Sequence, residues 1–296
     1  MFSQPQSRRA ILRQTSLAGL AMLGTNCLSL RAEEQKPKTL RVIAYNVYEC
    51  TGWPKERALG QLATKLGQMP ARFAQELLLY EPDIIQFSES PKEPVVQAIA
   101  KLLNLNYVMF PSGGKWPGAL LSRFEIKNPQ NTPLKAERPE KLFTRHWGRA
   151  EIKLPGGENL IVHSAHLHPP GVGSAAILAQ EIKAMLETMQ ADFQAQRSML
   201  LIGDMNHPPK PPEYKLWTDA GWIDTFAAVG KGEGLTNRSD KPAGRIDYIF
   251  AAGPIAKQVI ESRPLNEGAF RLHNEDPEAF ALSDHLPQLA VFDLNK

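Results

Sequence analysis

Short apolar runs that each stop at a polar residue constrain this chain most. "TLRVIAYN" alternates into a strand, "PDIIQFSE" and "MLLIGD" are short apolar runs, and "NLIVHSAHL" is a longer one, which describes strands. "GALLSR", "RAEIKL", "RIDYIFAA" and "HLPQLAVFDLN" read as further strands. Between them lie stretches of helical spacing. "RFAQELLLY" is ended by Pro82, residues 174 to 198 have Ser174 as a candidate N-cap, and "PPEYKLWTDAGW" is shorter. Short strands with helices among them indicate a two-sheet core with outer helices. The Pro-rich segments Pro129 to Pro139 and Pro208 to Pro212 read as loops. No linker, repeat or low-complexity tract divides residues 39–296, so one domain is expected there.

The N-terminus has a different character. Residues 1–32 hold the pair Arg8 and Arg9, an apolar run from Leu17 to Leu23 and a small residue at Ala32. Charged start, short apolar middle and small-residue exit describe an export signal. Ser7-Arg8-Arg9-Ala10-Ile11-Leu12 resembles the twin-arginine motif, an address read by the twin-arginine export machinery. Residues 33–38 then form a short linker, and the expected location is periplasmic or extracellular. The apolar run is too short for a membrane span, so none is expected in the mature protein, and a monomer is expected.

Loss of that segment changes the charge balance. The whole chain has 34 Lys+Arg against 31 Asp+Glu. Residues 1–32 contribute four arginines and no acid, which leaves 30 bases against 31 acids, near −1. A protein that grips duplex DNA usually carries a basic surplus. Cys27 lies in the signal and Cys50 stands alone, so no disulfide framework exists.

Polar residues recur where the strands run out: Asn46, Glu89, His166, Asp204 with Asn206, Asp247 in "RIDYIF", and Asp284 with His285. Each has a bland explanation. Asn46 or Asp284 can cap, Glu89 can be a solvated loop acid, and His166 can be a satisfied core histidine. In "LIGDMN", Asp204 and Asn206 are two apart and can converge on one point, or they can close an Asx turn. Nearly one such group per core strand favours a shared site, because packed sheets build sites at their strand ends.

"AYNV", "PDIIQFSE", "GALLSR", "HSAHL", "LIGDMN", "RIDYIF" and "SDHLP", in this order, resemble the endonuclease/exonuclease/phosphatase superfamily across essentially all of Thr39 to Leu294. The resemblance implies an α+β, DNase I-like fold: a four-layer sandwich of two mainly antiparallel sheets, face to face, with outer helices. It implies a metal-dependent phosphoester hydrolase and gives Glu89 the main metal role. The chain departs from the family's pattern at Ser88, where many members have Gln. It also has Tyr48 where abasic-site nucleases often carry an acid, and His166 where those enzymes often have Tyr. These departures bring it nearer to DNase I, sphingomyelinase or phosphatase relatives.

Phosphoester hydrolysis needs charge neutralised, water activated and the leaving oxygen protonated. Asn46, Glu89 and Asp284 offer oxygens of the kind Mg²⁺ favours, with Mn²⁺ an alternative. Asp204 can take a proton from water while Asn206 orients it. His285 can be held by Asp247 in one tautomer and donate to the phosphate, and His166 is a candidate acid for the departing alkoxide. His166, His168 and His207 could also form a nitrogen-rich second site for Zn²⁺ or simply line the cleft, while His163 is expected on the opposite face. Trp53, Trp116 and the Arg145–Trp147 segment are read as loop residues able to stack on a base or sugar or, equally, to form lids over the core. "SGGKWPG" lacks the spacing of a phosphate loop, although its Lys115 can meet a phosphate. The substrate is expected to be a phosphoester, with nucleic acid or a nucleotide included. A phosphomonoesterase, a lipid-head-group phosphodiesterase and a non-catalytic binding module on the same fold are the competing readings.

Overall fold

The apolar runs do form strands. The computed structural model describes residues 39–134, 137–171, 174–210 and 212–296; the export-signal and linker assignments to residues 1–38 lie outside them. The first half of the chain runs β1 (Thr39–Asn46), α1 (Ala58–Lys65), α2 (Met69–Leu78), β2 (Ile84–Ser88), α3 (Glu93–Leu103), β3 (Asn106–Phe110), β4 (Gly118–Ser122) and β5 (Ile126–Asn131). Then come β6 (Trp147–Lys153), β7 (Asn159–His166), α4 (Ser174–Gln194), β8 (Met199–Asp204), α5 (Glu213–Asp219) and β9 (Ile223–Asp224). The chain closes with α6 (Thr225–Val229), β10 (Asp247–Ala252), β11 (Val259–Pro264) and β12 (Gln288–Asp293). Among the described residues no helix is long and apolar enough to cross a membrane.

Two six-stranded sheets result, ordered β11-β12-β1-β2-β4-β3 and β5-β6-β7-β8-β10-β9. Each contains one central parallel pair, β1 with β2 and β7 with β8. The other pairings are antiparallel. Alternation along β1 sorts its side chains to two faces. Leu40, Val42 and Ala44 face the second sheet, against Leu200, Ile202 and Ile249, with Phe292 of neighbouring β12 on the same face. Ile43 and Tyr45 turn outward onto Phe73 and Leu77 of α2 and Val96 and Ile99 of α3. The outer face of the second sheet, with Ile161, Leu201 and Phe250, is covered by Ile182, Met185 and Met189 of α4 and Trp217 of α5. The layers are therefore α/β/β/α. Each fully buried aliphatic or aromatic side chain contributes roughly 1.5–3 kcal/mol, so three such clusters can carry a site that is itself costly to bury.

The parallel pairs decide where polar residues meet. Parallel neighbours end together, so Asn46 lies beside Ser88 and His166 beside Asp204. The antiparallel partner of β8 starts where β8 stops, which places Asp247 opposite Asp204. Likewise β12 begins beside the end of β1 and brings Ser283, Asp284 and His285 there.

Several elements differ from the sequence expectation. Helices α1, α3 and α6 and strands β3, β5, β9 and β11 were not foreseen. In α1 both Leu59 and Leu62 are about half exposed, which blurs its apolar stripe. Pro129 was read as loop and sits in β5, a largely exposed edge strand whose register shifts between Lys127 and Gln130; an edge tolerates the missing N–H. Trp147 was read as a loop residue and is fully buried at the start of β6.

"RIDYIF" is held in place by a buried ion pair. Arg245 donates to Asp224 Oδ2 (2.6 Å), which also accepts from the Tyr214 hydroxyl (3.0 Å). The other oxygen of Asp224 caps α6 through the Phe226 and Ala227 amides. The Tyr248 hydroxyl donates to the carbonyls of His207 and Arg245. Asp224→Ala should therefore strand a buried cation and lower unfolding stability by about 3–5 kcal/mol. Urea denaturation tests this; a midpoint like the wild type's would show the pair to be dispensable.

Candidate active site

Asp204 is the centre of the site. At the end of β8 it is 2% exposed, yet its carboxylate is well supplied with contacts. Oδ2 accepts from the Asn46 side-chain amide across the two sheets (3.1 Å) and lies 3.6 Å from His166 Nε2. Oδ1 accepts from the backbone N–H of Asn206 (3.0 Å), which has φ 54°. The Asx turn and the convergence of Asp204 and Asn206 are thus one arrangement. The Asn206 amide also donates to the Leu167 carbonyl (2.9 Å). The glycine of "GDMN" has its own reason: a Cβ at Gly203, whose φ is 142°, would collide with the Ala165 carbonyl of β7.

Asp247 and His285 complete a line. Asp247 Oδ2 and His285 Nδ1 are 2.8 Å apart, and His285 Nε2 is 4.0 Å from Asp204 Oδ2. Burial alone would lower the pKa of His285. The charge and hydrogen bond of Asp247, with Asp204 and Asp284 adding, overcome that and raise it to about 10. Burial and then the Asp247 charge push Asp204 upward, against the pull of His285, Asn46 and Asn206. His166 goes the other way: burial, then the charges of Arg145, His146 and His285, hold it well below its usual value. The two imidazoles are thus pushed in opposite directions, His285 toward holding a proton and His166 toward losing it.

Glu89, Asn46 and Asp284 lie on the first-sheet side. Glu89 has φ 49° and follows β2. Burial raises its pKa and the Asp284 charge adds to this, while hydrogen bonding from Asn46 and the charges of His285 and Arg145 oppose it. Two carboxylates close enough to repel suit a hard cation, while Oδ1 of Asn46 accepts the Tyr48 backbone N–H (3.2 Å) and its amide N–H groups face Asp204 and Glu89. Asp204, Asp247 and His285 also offer one ligand atom each within 4.8 Å of one another and form a candidate metal cluster.

The remaining sequence candidates fall outside this centre or change meaning. His207 accepts from the Trp217 ring at Nε2 (3.1 Å), and its Nδ1 meets the Pro208 carbonyl (2.9 Å), so both nitrogens are engaged. The second-site set of His166, His168 and His207 therefore loses a member. His163 points away, accepting from the Trp147 ring (3.2 Å). The rings of Trp53 and Trp116 are covered by Arg238 and Arg145, at 5.1 and 4.5 Å, and Lys115 is exposed.

Asn237 carries no signal in the sequence, and Ser88 and Ser283, visible in its motifs, gain a role only from the structure. The Asn237 amide stands 3.0 Å from His285 Nε2; its N–H can donate to a neutral ring, and its oxygen can accept from a charged one. Ser88 accepts from the Asp204 backbone N–H (3.4 Å) and from Gln86 (3.1 Å). Ser283 bonds the Asn46 carbonyl (2.6 Å) and accepts from the His285 N–H (3.2 Å).

Buried acids and a charged imidazole at the strand ends of such a sandwich are the equipment of a hydrolase acting on phosphoester bonds. The chain belongs to the Endonuclease/Exonuclease/phosphatase family, whose sequence profile matches residues 43–285. Solved structures share its DNase I-like fold. Truncated TDP2 from Caenorhabditis elegans is 18% identical with a TM-score of 0.63, covering 87% of this chain and 98% of that one. An AP endonuclease from Archaeoglobus fulgidus is 18% identical with a TM-score of 0.61, covering 86% and 100%. A mannosyl-6-phosphatase from Bacteroides thetaiotaomicron is 18% identical with a TM-score of 0.67, covering 85% and 98%. No curated protein matches the chain.

A short, charge-assisted bond between Asp247 and His285 should place the His285 Nδ1 proton far downfield in the proton NMR spectrum. The resonance should persist in His166→Ala and vanish in Asp247→Ala. Its presence in Asp247→Ala would mean that another group holds the ring.

Proposed function

We propose that this protein hydrolyses small or single-stranded phosphoesters, diesters foremost, in a divalent-metal-dependent reaction outside the cytoplasm. The observation that carries the catalytic reading is the line Asn46–Asp204–His285–Asp247, which runs across the sheets beside Glu89 and Asp284.

Asn46, Glu89 and Asp284 hold the metal in this reading, and the oxygen-only donor set favours Mg²⁺, with Mn²⁺ also accepted. The cluster of Asp204, Asp247 and His285 is the poorer choice. Its imidazole already bonds Asp247, and that bond stabilises a proton, with which a metal would have to compete. When bound, the metal neutralises phosphate charge. Asp204, raised by burial, takes a proton from the attacking water, which Asn206 orients. His285, kept charged by Asp247, gives the phosphate a charge-assisted hydrogen bond. His166, pushed toward its neutral form, is a poor acid for the leaving alkoxide; the alkoxide would instead take the Nε2 proton of His285, which regains one as Asp204 gives up the proton it took from water.

Substrate size rests on charge. With 30 bases against 31 acids beyond residue 32, few phosphate contacts are available for a long duplex. The structural relatives include an AP endonuclease and a mannosyl-6-phosphatase, so a sugar-phosphate monoester is the second reading. Export rests on the leader sequence alone. Residues 1–32, passed through the twin-arginine machinery, would deliver a folded monomer to the periplasm or beyond.

The test is a panel of bis(p-nitrophenyl) phosphate, sugar phosphates, single strands and an abasic duplex, with EDTA and then Mg²⁺. Activity should vanish in EDTA and return with Mg²⁺. Glu89→Gln should raise the Mg²⁺ concentration for half-activity by roughly 10-fold or more. Full turnover in metal-free protein would refute the mechanism. Preference for the duplex, with a salt slope of about six contacts, would refute the substrate class.

A further inference from the structure

Arg145 brings a cation to the site that no side chain answers. It precedes β6, and its neighbour His146 accepts the His166 backbone N–H (2.9 Å). Its guanidinium stacks over the Trp116 ring at 4.5 Å, and its Nε is buried with no hydrogen-bond partner. Among the described residues no carboxylate comes within ion-pair distance of it. Arg123, Arg149, Arg238, Arg245 and Arg263 all have such a partner. The residue is half-buried, and only Nε is cut off from both solvent and partner; a buried N–H without an acceptor is costly. The charges it does feel are those of Asp204, Glu89 and Glu181, and it acts in turn on His166 and His168. Through the His146 carbonyl its segment is bonded to the end of β7, beside the catalytic groups.

The surroundings are built to fix this residue. "SGGKWPG" packs on the backbone leading into Arg145: Gly113 donates to the Phe143 and Arg145 carbonyls, and a Cβ at Gly114 would press on the Thr144 carbonyl at 2.8 Å. From the other side the buried Glu181 of α4 accepts the Phe143 N–H (2.6 Å) and the His168 N–H (2.8 Å). One carboxylate thereby ties the Arg145 segment to the end of β7.

We propose that Arg145 is the substrate anchor of the site, its guanidinium edge taking non-bridging oxygens of the phosphate while Trp116 fixes its plane. A stacked, planar fork offers two parallel N–H donors, which an ammonium cannot reproduce. The proposal rests on the phosphoester reading and adds the residue that seats the phosphate.

The experiment compares wild type, Arg145→Ala, Arg145→Lys and Trp116→Ala in kcat/KM on bis(p-nitrophenyl) phosphate. It also measures the rise in thermal midpoint that inorganic phosphate gives the metal-free protein. Arg145→Ala should lose roughly 10- to 100-fold in kcat/KM and lose the phosphate-induced rise. Its midpoint without phosphate should be no lower than the wild type's, because a buried N–H without an acceptor has been removed, whereas a structural arginine would lower it. Arg145→Lys should recover only part of the rate, and Trp116→Ala should fall between wild type and Arg145→Ala. An active wild type matched by Arg145→Ala in both rate and phosphate response would overturn the anchor alone. A wild type inactive on every phosphoester, yet with a phosphate response that depends on Arg145, would overturn the hydrolase reading and keep the anchor. Absence of both would overturn both.

Discussion

One hydrogen bond, from the Asn46 amide to the Asp204 carboxylate at 3.1 Å, joins the two sheets at the place where their central strands end. It exists because each sheet has a parallel pair at its middle. Parallel strands finish side by side, so each sheet delivers a polar pair to the same edge, Asn46 with Ser88 and His166 with Asp204. Antiparallel β10 then starts there with Asp247. Topology alone gathers residues that lie more than 200 positions apart in the chain, Asn46 and His285 among them.

This gathering is costly, and the cost has chemical use. Asp204 and Asp247 are both buried, at 2% and 1% exposure, and the second raises the pKa of the first. His285 relieves the repulsion by keeping its proton, and Asn46 and the Asn206 N–H supply hydrogen bonds. A carboxylate made more basic beside a charged imidazole is what water activation at a phosphate needs. The apolar interlayer of Leu40, Val42, Leu200 and Ile249 carries the stability that the site consumes. The network around Arg245 and Asp224 keeps the strand bearing Asp247 in register.

Much of this was legible in the sequence, for identifiable reasons. Buried strands announce themselves by apolar runs, and Asp204, Asp247 and His285 stand where such runs begin or end. Turn chemistry and site chemistry could not be separated by sequence, and the structure makes them the same thing at Asp204–Asn206. Elements with mixed exposure stayed hidden, such as α1 with its outward leucines and edge strand β5 with Pro129. Asn237 stayed hidden because a loop asparagine has no periodicity to mark it; only tertiary contact with His285 gives it meaning. Arg145 sits within a stretch read as a stacking loop, and its lack of a partner is a property of three-dimensional surroundings. The histidines divided by environment: His207 and His163 are committed to tryptophan rings, whereas His285 bonds Asp247 and His166 stands 3.6 Å from Asp204.

The central claim is that strand ends from both sheets act as one catalytic unit. A double-mutant cycle on Asn46→Ala and Asp204→Asn, read as kcat/KM for bis(p-nitrophenyl) phosphate at saturating Mg²⁺, tests it most directly. Groups that act as a unit are strongly non-additive. The account predicts that each single variant loses roughly 10²-fold or more and that the double variant is little worse than the poorer single one. Losses that multiply would show the two sheets contributing independently and would contradict it.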